Sequence, residues 1–230
     1  MLSETYKQIM QHIRGVLHNP TTSVKYTMMS DGKHAKKSLR WLLRINPSAS
    51  FALKVATFGH DIERAVFSAI NPRSFSSDQD YRTEHSLRSA NIVREIALRY
   101  YIPEIDLCLE APRNKRYFKY FSLSSGNVML PIEEDEIDLI WRLILNHEVG
   151  SKDDQNLNPK ADDLKDADKL ANLQWYDDWY SCGSIEEKVA VEYGIKNIFD
   201  RISLRNRKFA RQIEFKNREI EELIRSFSDK

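Results

Sequence analysis

Two adjacent residues, His60 and Asp61, interrupt a segment that is otherwise apolar on nearly every side. The segment runs from Phe51 to Val66 and reads FALKVATFGHDIERAV. Its composition predicts a largely buried helix, and burial of a carboxylate without a partner is costly. A metal ion is one of the few partners that satisfies an imidazole and a carboxylate together. Because a His-Asp pair also arises by chance, further ligands elsewhere in the chain must support this interpretation.

Two other residues fit the same ion. His34 opens a predicted helix upstream, at a distance along the chain that suits two antiparallel neighbouring helices. Asp168 lies downstream in LKDADKLAN, where it shares one helical face with Leu164 and Ala171, so its carboxylate follows an apolar stripe. Two imidazoles and two carboxylates form a mixed nitrogen and oxygen set that suits a divalent transition metal, with water completing the shell.

Four residues form a pattern that resembles the HD superfamily of metal-dependent phosphohydrolases: His34, His60, Asp61 and Asp168. The similarity spans roughly residues 30 to 175. It implies an all-α helical bundle around the metal and hydrolysis of phosphate esters. It also assigns the last ligand to Asp168, because the family's aspartate immediately precedes a basic residue and a leucine. Asp166 would point about 200° away on an ideal helix.

Two further histidines, His85 and His147, lie between the His-Asp pair and the last aspartate. Their order resembles superfamily branches that hold two metals, such as the HD-GYP phosphodiesterases. The GYP signature is absent, so cyclic-dinucleotide cleavage is not expected. A second metal site, a substrate-facing role and two helix-terminal or surface histidines without function all stay open. The expected cofactor is one or two divalent ions, of Mn, Mg, Fe, Zn, Co or Ni.

Charged residues beside the ligands are candidates for phosphate binding and proton transfer. Arg64 and Lys37 each lie one helical turn after a ligand histidine, so either could reach a phosphate near the metal. Lys169, next to the ligand aspartate, could do the same. Glu63 is the nearest carboxylate that is not needed as a ligand, and in some superfamily members an acidic residue near this place supports proton transfer. Each of the four could equally form an ion pair or a solvated charge.

The resemblance predicts a phosphatase or phosphodiesterase that acts on a phosphate ester or nucleotide-like substrate through a metal-activated water. Two other hypotheses stay open. A few HD-type proteins expand this ligand set with histidines to hold a di-iron centre that activates oxygen. Alternatively, the chain is a non-catalytic regulatory module that binds a metal or a nucleotide. Motifs of phosphate loops, α/β-hydrolases, dinucleotide-binding folds and zinc proteases are absent from the sequence.

Apolar residues recur at helical spacing along most of the chain and predict a series of helices. Ser48 or Ser50 could cap the third of them, and prolines follow the ends of several. We expect one domain over residues 1–230, with its core at about 30–175 and a C-terminal helical extension at about 185–230. The predicted helices are Tyr6 to Leu17, Lys33 to Ile45, Phe51 to Ile70, Thr83 to Tyr100, Glu134 to Glu148, Asp163 to Tyr176, Ile185 to Phe199 and Leu204 to Phe227.

Two stretches interrupt the helical pattern. Asn71 to Arg82 is polar and rich in turn residues, which predicts a mobile loop that could act as a lid. Ala111 to Pro131 mixes basic and aromatic residues around a Ser-Ser-Gly sequence, which predicts an inserted loop or hairpin. Such interleaving can stack on bases, but a packed surface loop is the favoured interpretation.

Composition limits the class of partner. The formal net charge of +1 gives no reason to expect a nucleic-acid or membrane partner. No apolar stretch is long enough to span a bilayer, the first residues lack the apolar core of a signal peptide, and the two cysteines lie far apart. We therefore expect a cytoplasmic protein whose partner is a small-molecule phosphate or nucleotide. The predicted last helix could pack back or mediate a homodimer.

Overall fold

The computed structural model describes residues 2–18, 31–66, 78–101, 132, 134–152, 154–180 and 185–228. Within these residues all regular structure is helical, so the predicted all-α class is confirmed. The α-helices are α1 (Leu2–Leu17), α2 (Asp31–Ile45), α3 (Phe51–Gly59), α4 (Ile62–Val66), α5 (Asp78–Tyr101), α6 (Glu134–Leu145), α7 (Lys160–Tyr180), α8 (Ile185–Arg201) and α9 (Arg218–Ser228). Segments of 3₁₀ helix cover Gly150–Lys152, Gln155–Leu157 and Leu204–Gln212.

Helix α7 lies at the centre of the packing. It contacts α2 and α8 most extensively and also touches α3 and α6, while α5 pairs with α6 and α1 crosses α3 and α5. Aliphatic side chains fill the space between these helices, and burial of each contributes about 1.5–3 kcal/mol to the free energy of folding. Fully buried examples are Ile9, Ile13, Leu53, Ile96, Ile140 and Leu170.

The predicted single helix from Phe51 to Ile70 is wrong, because the chain turns at His60 and Asp61. Helix α3 begins after Ser50, whose hydroxyl accepts the amide of Leu53, and it ends at Gly59. The His60 ring then donates from Nδ1 to the carbonyl oxygen of Thr57 at 2.8 Å. In a continuous helix that carbonyl would accept the amide of Asp61. Residues 67–70 lie outside the described part of the chain.

The position before the turn requires a glycine. A Cβ atom on Gly59 would lie 2.6 Å from Cγ2 of Val93, a buried side chain of α5, and 3.4 Å from Cδ1 of Ile13 on α1. The first of these separations is too short for any side chain to tolerate without a shift of the Val93 side chain or of its helix. The missing side chain therefore lets α3 approach α5 closely at the point where the His-Asp pair begins.

The predicted continuous helix from Leu204 to Phe227 is also wrong. A 3₁₀ helix over Leu204–Gln212 is followed by non-helical residues 213–217 and then by α9. The Asp177 carboxylate on α7 accepts the backbone amides of Lys216 at 2.7 Å and Asn217 at 3.1 Å, and the side-chain amide of Asn217 at 2.7 Å. Amides bound by this buried carboxylate cannot continue a helix, so a tertiary contact overrides the local periodicity.

The remaining predicted bounds differ from the structure by a few residues. Helix α5 begins at Asp78, so residues 78–82 of the predicted loop are helical. Residues 71–77 of that loop and the whole predicted insertion, 111–131, lie outside the described residues. None of the helices in the described ranges is long and apolar enough to cross a lipid bilayer.

Candidate metal centre

Six side chains that the sequence singled out converge in the interior of the bundle. They come from α2, the turn between α3 and α4, α5, the turn after α6, and α7. Each is between 0% and 5% exposed. Such burial of imidazoles and carboxylates requires partners of opposite charge or a bound cation. In chain order these residues are His34, His60, Asp61, His85, His147 and Asp168.

The first ligand group consists of His34, His60 and Asp168, and the fourth residue of the predicted primary site, Asp61, lies beside it. Oδ1 of Asp168 lies 2.9 Å from Nε2 of His34 and 3.3 Å from Nε2 of His60. Oδ2 of Asp61 lies 3.5 Å and 3.7 Å from the same two nitrogens. Neighbouring ligands of a divalent metal are about 3 to 3.5 Å apart, given bonds of about 2.1 Å. The separations between Asp168 and the two histidines are therefore close to those of one coordination shell, and Oδ2 of Asp61 lies slightly farther from the same nitrogens.

The second ligand group consists of Asp61, His85 and His147. One ligand atom from each lies within 4.8 Å of the others, and Nε2 of His85 is 2.8 Å from Oδ1 of Asp61. Because Oδ2 of Asp61 faces the first group, this carboxylate presents one oxygen to each group. The ring centroids of His60 and His147 are only 5.1 Å apart. The alternative of surface histidines at positions 85 and 147 is therefore wrong.

Backbone carbonyl groups orient two of the histidine rings. Nδ1 of His60 donates to the carbonyl oxygen of Thr57 at 2.8 Å, and Nδ1 of His147 donates to that of Ile144 at 2.7 Å. A carbonyl oxygen only accepts, so each Nδ1 carries a proton and each Nε2 is left to face the candidate ligand groups. Nε2 of His147 is buried and has no hydrogen-bond partner among the described residues. Histidines that bind metals use this same arrangement.

A carboxylate orients the third ring. Oε1 of Glu63 lies 3.0 Å from Nδ1 of His85, on the side of the ring opposite Asp61. The backbone amide of Glu63 donates to the hydroxyl of Ser89 at 3.3 Å. Glu63 was a candidate for proton transfer, but the structure places its carboxylate behind His85. It can therefore set the orientation and basicity of that imidazole.

The two kinds of histidine environment have opposite effects on basicity. Burial disfavours protonation of His60, but the charges of Asp61 and Asp168 outweigh burial and raise its pKa to about 9. Burial lowers the pKa of His147 to about 4, so this ring is neutral at physiological pH. A neutral imidazole with a buried lone pair is ready to bind a cation. A cation beside Asp61 and Asp168 would also replace the proton on His60.

Two cations contact the carboxylates of Asp61 and Asp168. Nη1 of Arg64 lies 2.8 Å from Oδ2 of Asp61, and Nζ of Lys169 lies 2.7 Å from Oδ2 of Asp168. Burial alone would raise the pKa of each carboxyl group, but Arg64 and Lys169 respectively hold both values well below the usual range. Both carboxylates are therefore ionised. The Arg64 side chain is 34% exposed and thus reaches the centre from the surface.

The predicted phosphate-binding residues have different surroundings. Arg64 lies at the edge of the centre, in contact with Asp61. Lys169 is buried between Asp168 and Glu148, which leaves its ammonium group engaged by carboxylates rather than open to a phosphate. Lys37 is half-buried, and within the described residues it forms no ion pair with the carboxylates of the centre.

Sequence reasoning missed three residues that support the centre. Asn172 donates to Oδ1 of Asp168 at 3.0 Å, and its position one turn later on α7 could have revealed it. Glu148 directly follows His147 and accepts from Lys169. Arg201 reaches Glu148 from the end of α8, a contact for which the sequence carries no local signal.

The choice of aspartate on α7 agrees with the structure. Asp166 points to the opposite side of the helix, where its carboxylate accepts the amide of Ser203 at 3.0 Å and the side chain of Asn206 at 2.8 Å. Asp168 alone of the two faces the histidines.

The buried groups could hold metal ions. Their donors are imidazole nitrogens and carboxylate oxygens, which suit divalent first-row transition metals. Comparison of the chain with protein-family models, with curated proteins and with solved structures found no match.

Proposed function

We propose that this protein is a metal-dependent phosphohydrolase of the HD superfamily, acting on a phosphate ester or a nucleotide-like substrate. The observation that carries the proposal is the pair of buried ligand groups with the carboxylate of Asp61 between them, Oδ2 toward the first group and Oδ1 toward the second. Two-metal sites of this kind commonly support hydrolysis of phosphate esters. The resemblance of the four primary ligands to the superfamily pattern points to the same reaction class.

Metal ions bound there would activate water and neutralise charge on a phosphoryl group. The protein's own part is to hold the donors in place before any ion arrives. Carbonyl groups orient His60 and His147, and the Glu63 carboxylate orients His85. Because these rings are buried among packed helices, little reorganisation is needed on binding.

The charges of the centre favour an anionic substrate. Among the described residues, four carboxylates and three cations form the centre and its immediate contacts, with a formal charge of −1 when the histidines are neutral, as they are when they bind a metal. Two divalent ions would make the charge strongly positive, and a phosphate group would then offset most of the excess. The four carboxylates belong to Asp61, Glu63, Glu148 and Asp168, and the three cations are Arg64, Lys169 and Arg201.

Arg64 is the residue that we assign to phosphate binding. Its guanidinium group offers a planar fork of donors that matches phosphate oxygens. It already lies at the centre and remains partly exposed. Lys37, one turn after His34 on α2, is the second candidate. Glu63 is assigned to positioning His85.

The proposal predicts that His60→Ala or Asp61→Ala abolishes turnover and metal content together. Elemental analysis of the purified protein would be followed by a screen of phosphatase and phosphodiesterase substrates with Mn²⁺, Mg²⁺, Zn²⁺, Fe²⁺, Co²⁺ and Ni²⁺. Asp200→Ala is the matched control, because it removes an exposed carboxylate on α8. Full activity in either centre variant would contradict the mechanism.

A second candidate function is oxygen activation at a di-iron centre. It is favoured by the two extra histidines, His85 and His147, which complete the second group. Iron content with an oxygen-dependent spectral change would support it, whereas activity with zinc, manganese or magnesium would support hydrolysis. A tight nucleotide complex that is never hydrolysed would instead indicate a regulatory module.

A further inference from the structure

A chain of ion pairs connects the end of α8 with the carboxylate of Asp168. Arg201, the last residue of α8, donates to the side-chain carboxylate of Glu148 and, at 3.0 Å, to its backbone carbonyl oxygen. The same carboxylate lies 3.2 Å from Nζ of Lys169, which lies 2.7 Å from Oδ2 of Asp168. Charges alternate in sign at each step along this path.

The two oxygens of Asp168 have separate partners. Oδ1 faces the imidazoles of His34 and His60 and accepts a hydrogen bond from Asn172 at 3.0 Å. Oδ2 accepts from Lys169. Rotation of the carboxylate would break contacts on both sides, so Oδ1 alone is presented to the ligand group.

Lys169 keeps this position only while its charge is balanced. It is 3% exposed, and a buried ammonium group is costly unless carboxylates compensate it. Asp168 and Glu148 supply that compensation, and Glu148 is itself shared with Arg201. Without Arg201, the Glu148 carboxylate would attract Lys169 more strongly and draw its ammonium group away from Asp168.

We propose that Arg201 is a positioning residue of the metal centre, acting through Glu148 and Lys169 to hold Asp168 with only Oδ1 toward the ion. The inference rests on the proposed function, since it assumes that a metal binds at this centre. It makes α8, which supplies none of the six candidate ligands, a functional part of the centre.

The test compares Arg201→Met with Arg201→Lys and with Arg205→Met. Arg205 is a suitable control because it also connects the C-terminal residues to α7. It pairs with Asp163 at 2.8 Å, and its side chain is 45% exposed. Binding of Mn²⁺ to metal-stripped protein is measured by isothermal titration calorimetry, and unfolding without metal is measured in parallel to check each fold.

Arg201→Met should weaken Mn²⁺ binding about tenfold, the lower end of the usual loss for an outer partner of a metal ligand, while Arg205→Met stays within about twofold. Arg201→Lys should recover most of the loss because it keeps the charge. Any one of three results would overturn the inference. The Mn²⁺ affinity could be unchanged in Arg201→Met, it could fall equally in Arg205→Met, or it could fail to recover in Arg201→Lys. Absence of Mn²⁺ binding by the unaltered protein would overturn the inference, and failure of the other divalent ions as well would overturn the proposed function.

Discussion

At the scale of single residues, Asp61 determines how the two ligand groups relate to each other. Oδ2 faces the histidines of the first group, and Oδ1 faces His85 of the second. Arg64 contacts the same Oδ2 at 2.8 Å, so a cation bound to this oxygen would compete with the guanidinium group. Metal binding would weaken the contact between Arg64 and Asp61, which would allow the guanidinium group to turn toward a substrate phosphate.

Glu63→Gln should weaken the second ligand group more than the first. The neutral amide is a poorer acceptor for Nδ1–H of His85 than the carboxylate, so the imidazole becomes a weaker ligand. We expect a loss of about 10–100-fold in affinity for the second ion. Elemental analysis after dialysis at limiting Mn²⁺ should show a fall from two bound ions towards one.

The control for Glu63→Gln is Glu84→Gln, which changes an acid beside His85 on α5. The Glu84 side chain is 47% exposed and contacts Arg88 instead of the centre. Retention of both ions with unchanged affinity in Glu63→Gln would show that this carboxylate does not support His85.

The grouping of the candidate ligands could largely be predicted from sequence. His60, Asp61 and Asp168 are recognisable because ionisable residues fall within apolar helical stretches, and His34 because it opens a helix at a fitting distance along the chain. The position of His85 and His147 beside the other ligands results from the packing of α5 against α6. The periodicity of apolar residues does not predict which helices pack together. The contact between Arg201 and Glu148 joins residues that are distant in sequence. Nothing in the local sequence distinguishes Arg201 from arginines that stay exposed.

At the scale of helices, the structure follows the apolar periodicity except where side chains bind the backbone. The carbonyl oxygen of Thr57 accepts a hydrogen bond from Nδ1 of His60 at the end of α3, and the Asp177 carboxylate accepts the amides of Lys216 and Asn217 before α9. Both interruptions are hydrogen bonds that replace helical ones. The second one joins residues that are far apart in sequence, so the pattern of apolar residues predicted continuous helices in error.

The interface between α1 and α5 should make stability depend on pH. Burial, together with the charge of Arg99, lowers the pKa of His12 to about 4. The unfolded chain binds a proton near pH 6.5, so the folded state loses stability as the pH falls from about 6.5 towards 4. We expect this group to contribute roughly 3 kcal/mol of loss across that window.

His12→Gln removes this titration and provides the comparison. Urea unfolding of both proteins, stripped of metal, at several values between pH 4.5 and 7 gives their difference in free energy of unfolding. Titration of the metal centre is common to both and cancels in the difference. A difference that stays constant with pH would contradict the role of His12.

At the scale of the whole molecule, the centre exists only when the bundle is assembled. Its six candidate ligands come from five separate parts of the chain, and α7 joins them to the C-terminal residues. On its opposite side α7 carries Asp166, which binds Ser203 and Asn206. The unfolded chain cannot bring these ligands together, so a metal that binds them stabilises the folded state.

Saturating metal should therefore raise the unfolding temperature. Mn²⁺ at a hundred times its Kd adds about 2.7 kcal/mol to the free energy of unfolding, or about 5 to 10 °C for a chain of this size. Thermal unfolding followed by circular dichroism with Mn²⁺ and with EDTA measures the shift. Asp61→Ala should abolish it, and an unaltered protein that unfolds at the same temperature in both conditions would contradict a folded-state metal site.

The carboxylate of Asp61 lies between the two ligand groups, so it would couple two ions bound there thermodynamically. An ion at one group changes the charge and orientation of the oxygen that the other group uses. Linkage is reciprocal. If the first ion changes the affinity for the second by some factor, the second ion changes the affinity for the first by the same factor. A metal titration of this protein should therefore fit a model of two coupled binding sites, in which the affinity of each ligand group depends on whether the other holds an ion.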